Sequence, residues 1–179
     1  VLTTTLRAIA IIAQVLRQQL AQRGSHLDVL AQGEWPKLRL MERFRAGAGP
    51  QGGCILVASA SFWEGFDVPG DALQLVVIDK LPFPPPGDPL VEARTLQIEQ
   101  SGGSAFKEYA LAEAAVALKQ GAGRLIRHES DRGVLVVCDS RLVRMGYGKR
   151  LIAALPPMRR LSGAEEFHAA LEDLASVTR

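Results

Sequence analysis

Three short, predominantly apolar runs constrain the fold of this chain more than any other feature. They are Cys54 to Ala58, Leu73 to Ile78 and Val134 to Cys138, and each contains several β-branched residues. A continuous apolar run of this length is typical of a β-strand buried on both faces, as in a parallel sheet. Because helical patterns separate the runs, we predict one α/β domain whose mostly parallel sheet is flanked by helices on both faces.

Weaker signals predict the remaining elements. Val1 and Leu2 resemble the end of a strand. Thr3 to Thr5 can cap a helix whose apolar stripe reaches Leu20 and which ends at Gly24. The other predicted elements are a strand at Leu27 to Leu30, a helix from Pro36, helices at Pro89 to Glu99 and Ser104 to Lys119, and a last helix behind a capping box at Ser162 to Glu165.

Composition sets broad limits. The 179 residues suffice for one domain with a real core, and a net charge of +2 is too small to indicate nucleic-acid binding by bulk electrostatics. No apolar run approaches the roughly 20 residues of a membrane helix, and the N-terminus lacks the pattern of a signal peptide, so we expect a cytoplasmic protein. Because the chain opens on Val1, inside an apparent strand, we also expect it to be part of a longer protein.

The two cysteines do not suggest a metal site or a disulfide. Cys54 and Cys138 lie inside two of the apolar runs, where a small buried side chain is the ordinary role of a cysteine. Two thiols alone do not make a zinc or iron–sulfur site.

The most specific chemical signal is the segment from Gln120 to Arg127. Arg124 and Arg127 are three residues apart and follow Gly123, which would let the backbone approach another surface closely. Paired guanidinium groups suit a phosphoryl group, because their planar donors bind its oxygens bidentately. The alternative is that both arginines are solvated helix residues.

A second segment, Ser59 to Asp71, follows a predicted strand and is rich in hydroxyls, carboxylates and turn-forming residues. Such a loop can hold a nucleic-acid backbone, and Asp67 could bind a ribose hydroxyl or orient an arginine. Phe62 and Trp63 could stack on a base or pack in the core. In a parallel sheet, ligands bind beyond the carboxyl ends of the strands, which also draws attention to Asp79 to Asp88 and Asp139 to Arg141.

Together these segments resemble a known family. Gln120-x-x-Gly123-Arg124-x-x-Arg127 is similar to helicase motif VI of superfamily 2, and Ser61 to Gly70 is similar to motif V of the DinG/YoaA group, relatives of the XPD helicases. Asp79-Lys80-Leu81-Pro82-Phe83 and Asp139-Ser140-Arg141 resemble the same group, and Val1 to Thr5 resembles the end of motif IV.

The resemblance implies the second RecA-like domain, residues 1–179, of a 5′-to-3′ DNA helicase of DNA repair, with ATP bound between two motor domains. It implies that Arg124 and Arg127 act as finger-type residues and that Gly65, Asp67, Gln120 and Gly123 face the nucleotide. Thr4, Ser59 and Ser61 would lie near single-stranded DNA. ATP and Mg²⁺ would be bound mainly by the first motor domain, which would also carry any iron–sulfur cluster.

Features absent from the sequence support that division. There is no G-x-x-x-x-G-K-[ST] loop, since Gly148-Lys149-Arg150 lacks both the leading glycine and the hydroxyl residue, so we expect this chain alone to be inactive. Two alternatives stay open: a non-catalytic RecA-like binding module, and an RNA-directed motor. The basic bias of the last third is either a solvated face or a phosphate-contacting surface, and its residues are Arg141, Arg144, Lys149, Arg150, Arg159 and Arg160.

Overall fold

The computed structural model describes residues 1–47, 53–59, 62, 73–126 and 131–177. Within these residues, five strands form one all-parallel sheet in the order β2-β3-β1-β4-β5. The strands are β1 (Leu2–Thr3), β2 (Asp28–Ala31), β3 (Cys54–Ser59), β4 (Leu75–Ile78) and β5 (Val134–Val137). All five predicted strands are therefore present, and each boundary lies within two residues of its prediction.

Helices connect the strands and cover the sheet. They are α1 (Leu6–Gln22), α2 (Lys37–Arg45), α3 (Pro89–Gln100), α4 (Leu111–Ala122), α5 (Arg141–Arg144), α6 (Gly148–Ala154) and α7 (Ala164–Val177). A π-helical segment, Phe106–Ala110, leads directly into α4. Among the residues that the structure describes, no helix is both long and apolar enough to cross a membrane.

Helix α1 covers one face of the sheet for the reason that its sequence predicts. The Thr5 hydroxyl caps it by accepting a hydrogen bond from the Ala8 N–H at 3.2 Å, and Gly24 ends it with a φ of 64°. Ile9 and Ala13 are buried against Val57 of β3 and its neighbours on β2. The predicted apolar stripe is confirmed.

The opposite face of the sheet holds the larger core. Leu40 and Phe44 of α2 are buried there, as their shared helical face predicts, together with Leu118 of α4 and Leu151 of α6. With α1 on the other face, this gives the three-layer α/β architecture of a RecA-like domain.

Several local predictions need correction. Cys54 is half-buried and Cys138 is exposed, because β5 is the outer strand of the described sheet and Cys138 lies beyond its end. The capping box of α7 is shifted by one residue: Glu166, not Glu165, accepts a hydrogen bond from the Ser162 N–H at 2.8 Å. The strands are not uniformly buried either, since Leu75 of β4 is 38% exposed.

Candidate functional site

Thr4 directly follows β1, at the carboxyl-terminal ends of the strands. Thr3 is buried and pairs in register with Ser59 of β3, and its hydroxyl donates to the Thr5 carbonyl at 3.1 Å. The Thr5 hydroxyl is used as the cap of α1. Of the three threonines, Thr4 alone is not part of these structural hydrogen bonds, and it is exposed.

Ser59, the last residue of β3, lies at the same end of the sheet. It is fixed by a residue that the sequence did not single out. Its backbone N–H and its hydroxyl both donate to Oε1 of Gln32, at 2.8 and 2.9 Å. Gln32 directly follows β2, so a polar residue just beyond a predicted strand was the available signal. The amide of Gln32 therefore sets both the backbone direction and the hydroxyl position at the start of the motif V segment.

Most of the motif V segment lies outside the described residues, including Ser61, Trp63, Gly65 and Asp67. Phe62 is described and is buried in the main core, 6% exposed, which favours the packing alternative over base stacking for this ring. The Nζ atom of Lys37, at the start of α2, lies 5.2 Å from the centre of the Phe62 ring.

The motif VI segment begins in the last turn of α4, where Gly121 lies close to the sheet. A Cβ atom on Gly121 would lie 3.2 Å from Cδ1 of Leu2 and 3.5 Å from Cδ1 of Ile78. At Gly123, where α4 ends, the nearest described atoms are carbonyl oxygens of the same helix. Gly121 is therefore the glycine that allows α4 to contact the sheet, and the approach of Gly123 to another surface stays a prediction.

Beyond Gly123 the chain is anchored by Leu125, which is fully buried and packs against Gly133 beside the start of β5. Because Gly121 and Leu125 are both fixed, the residues between them are held in place. Gln120 is exposed, and Gly123 and Arg124 are half-buried. Arg127 lies outside the described residues.

The two loops that follow β4 and β5 are joined by a buried carboxylate. Asp139 accepts a hydrogen bond from the Leu81 N–H at 3.0 Å and pairs with the Arg141 guanidinium, with Nη2 to Oδ2 at 2.6 Å. This guanidinium, together with the backbone donors, holds the pKa of the Asp139 carboxyl well below its usual range. The hydrogen bond from Leu81 to Asp139 thus holds the start of the proline-rich turn after β4 against the loop after β5.

The described residues do not suggest a metal centre. No group of three or more histidine, cysteine or acidic side chains among them is arranged to hold a metal ion. Although Cys138 is exposed as a residue, desolvation of its sulfur atom and the nearby Asp79 carboxylate raise the pKa of the thiol, which disfavours the thiolate form.

Comparison with known proteins gives a consistent family assignment. Residues 1–158 match the model of the helicase C-terminal domain. The chain is 52% identical over 134 residues to the ATP-dependent DNA helicase YoaA of Escherichia coli, covering 75% of this chain and 20% of YoaA. It is 40% identical over 174 residues to the ATP-dependent helicase DinG of Mycobacterium tuberculosis, covering 97% of this chain and 25% of DinG.

A third relative carries a different name. The chain is 35% identical over 145 residues to a Bacillus subtilis protein named 3'-5' exonuclease DinG, covering 80% of this chain and 15% of that protein. The chain therefore spans a quarter or less of the length of each of these three relatives.

Proposed function

Because this chain belongs to the helicase C-terminal domain family and is a domain of the DinG/YoaA type, we propose that it is the second motor domain of an ATP-dependent 5′-to-3′ DNA helicase. The end of α4 carries the proposal. Gly121 and Leu125 fix the backbone on either side of Arg124, so a guanidinium is presented from a rigid element, as a finger-type arginine requires.

The proposed division of roles follows the motifs. Arg124 and Arg127 stabilise the charge that develops on the γ-phosphate of ATP held by the first motor domain of the same chain. The residues that face the nucleotide beside them are Gly65, Asp67, Gln120 and Gly123. Thr4, Ser59 and Ser61 contact the backbone of single-stranded DNA at the carboxyl edge of β1 and β3, where Gln32 orients Ser59.

ATP and Mg²⁺ are bound mainly by the first motor domain in this proposal, since this sequence has no phosphate-binding loop. The chain does not fit an iron–sulfur cluster either. Cys54 begins β3 and Cys138 follows β5, and two strands lie between them, so the thiols are about 14 Å or more apart at the usual strand spacing. Any cluster in the complete protein would need cysteines from elsewhere.

Substitution of Arg127 in the complete protein tests the proposed role. We expect Arg127→Ala to lower DNA-stimulated ATP turnover by about 10³-fold or more, because a finger-type arginine contributes that much where it has been measured. Affinity for single-stranded DNA should stay close to that of the unsubstituted protein. Arg23→Ala, which removes an exposed arginine at the end of α1, is the matched control and should leave turnover unchanged. Unchanged turnover in Arg127→Ala would remove the finger role.

The alternatives predict different results in the same assay. An RNA-directed motor would show greater ATPase stimulation by single-stranded RNA than by DNA of the same sequence. A non-catalytic binding module would bind nucleic acid or protein with no ATP turnover in the complete protein. Because one relative is named an exonuclease, nuclease activity is measured in the same experiment, for the unsubstituted complete protein and for Arg127→Ala.

A further inference from the structure

Three aromatic rings meet at one corner of the domain, beyond the carboxyl ends of β4 and β5. Phe83 comes from the proline-rich turn after β4, Phe106 from the start of the π-helical segment, and Tyr147 from the junction of α5 and α6. Their ring centres are 5.7 Å apart for Phe83–Phe106, 5.2 Å for Phe106–Tyr147 and 5.9 Å for Phe83–Tyr147. We call this group, with the basic side chains described below, the aromatic–basic corner.

The corner holds one ring firmly while leaving it open to water. Phe83 and Tyr147 are half-buried and pack against the main core, and Arg141 stacks on Phe83 with Cζ 5.5 Å from the ring centre. Phe106 rests on both rings yet is 45% exposed. A ring that is fixed from below and exposed above is a platform on which a nucleic-acid base can stack.

Each segment that supplies a ring also supplies exposed cations within three residues of it. Lys80 precedes Phe83, Lys107 follows Phe106, and Tyr147 is flanked by Arg144, Lys149 and Arg150. A separation of three residues allows at most about 10 Å between Cα atoms, so the backbone of each of these residues lies close to that of a ring residue. All five of these side chains are exposed.

The same segments contain four carboxylates, of which Asp79 directly precedes Lys80 and the other three make hydrogen bonds within the fold. Asp139 is bound to Arg141 and the Leu81 N–H, and Glu108 accepts a hydrogen bond from the Ser104 N–H. Asp88 caps α3 through the Leu90 and Val91 N–H groups. From Ser140 to Gly163 the sequence contains six basic residues and no acidic residue. Hydrogen bonds from backbone N–H groups leave Asp88 and Glu108 charged, so the positive excess near the rings comes from the segment after Asp139.

We infer that the aromatic–basic corner is an additional binding surface for single-stranded DNA, with Phe106 stacking on a base and the neighbouring cations contacting phosphates. The inference rests on the proposed function as a DNA motor and extends it to residues outside the helicase motifs. A protein partner fits the corner less well, because the centres of protein–protein interfaces are depleted in lysine. Here a lysine lies within three residues of each ring.

The test compares two kinds of variant in the complete protein by titration with a fluorescent oligothymidylate at several salt concentrations. Phe106→Ala should weaken binding by about five- to 150-fold, the effect of removing the surface for one stacked base, and leave the salt dependence unchanged. Phe106→Trp, which keeps a stacking surface, should retain binding.

Lys149→Gln combined with Arg150→Gln should reduce the slope of log affinity against log salt by about 1.4, or 0.7 for each phosphate that is no longer neutralised. Arg23→Gln, just beyond the end of α1, should leave the slope unchanged.

The outcomes separate this inference from the proposed function. If the unsubstituted protein does not bind single-stranded DNA, the proposed function itself fails. If it binds DNA and the Phe106 and Lys149/Arg150 variants bind with the same affinity and salt dependence, the proposed function stands and the inference about the corner is wrong. The Lys149/Arg150 variant replaces exposed charges only, so it tests the inference even if the Phe106 variant is poorly folded.

Discussion

Asp139 offers a sharp test of how the two loops beyond β4 and β5 are held together. Leu81, whose N–H donates to the Asp139 carboxylate at 3.0 Å, is only 2% exposed, so Asp139→Ala leaves a buried donor without an acceptor. An unsatisfied buried group costs about 1–3 kcal/mol. The pair with Arg141 adds only about 0.5–1 kcal/mol, because the arginine side chain is 47% exposed and solvent screens it.

The expected sum is a loss of about 1.5–4 kcal/mol in the free energy of unfolding, measured by urea denaturation. Asp139→Asn keeps one acceptor oxygen and should lose about half as much. Asp173→Ala, which removes an exposed carboxylate of α7, is the control and should stay within about 0.5 kcal/mol of the unsubstituted chain. A loss below about 0.5 kcal/mol in Asp139→Ala would refute the structural role assigned to this carboxylate.

The same substitution has a defined dependence on pH. The pKa of Asp139 is lowered in the folded chain, so its stabilising contribution is complete above the unfolded value of about 3.9 and is lost as the pH falls through the folded value. The difference in stability between the unsubstituted chain and Asp139→Ala should therefore shrink below about pH 4. A difference that grows on acidification would contradict the assigned direction.

Two further predictions concern positions to which the sequence assigned no role. A Cβ atom at Gly148 would overlap the carbonyl of Leu142, so Gly148→Ala should destabilise the chain by about 1–3 kcal/mol in urea denaturation, whereas Gly146→Ala, with open space around it, should be nearly neutral. Gln32→Ala removes the acceptor shared by the N–H and hydroxyl of Ser59, so it should lower the affinity of the complete protein for single-stranded DNA. Unchanged affinity would mean that the orientation of Ser59 is unimportant for binding.

The architecture could be predicted from the sequence because the apolar runs and helical stripes are strong local signals. The buried stripe of α1 and its Thr5 cap follow directly from residue spacing. Local sequence did not reveal which glycine contacts the sheet, since that depends on how α4 lies across Leu2 and Ile78. The π-helical turn at Phe106–Ala110 also replaced the start of a predicted regular helix, without a residue pattern that indicates it.

The candidate site was harder to predict than the fold because it depends on contacts between distant segments. Gln32 and Ser59 are 27 residues apart, and Leu81 and Asp139 are 58 residues apart. The aromatic–basic corner likewise joins three segments whose rings have no common spacing in the sequence. The motif resemblance predicted which loops form the candidate site. The structure shows that Gln32 holds the end of β3 and that Asp139 holds the turn after β4.

The most direct test of the central claim is ATP turnover, with and without single-stranded DNA, by the 179-residue chain and by the complete protein that contains it. The proposed role as half of a composite motor site predicts DNA-stimulated turnover in the complete protein and none in the chain alone. Robust turnover by the isolated chain would contradict it, because these residues would then have to contain a complete nucleotide site.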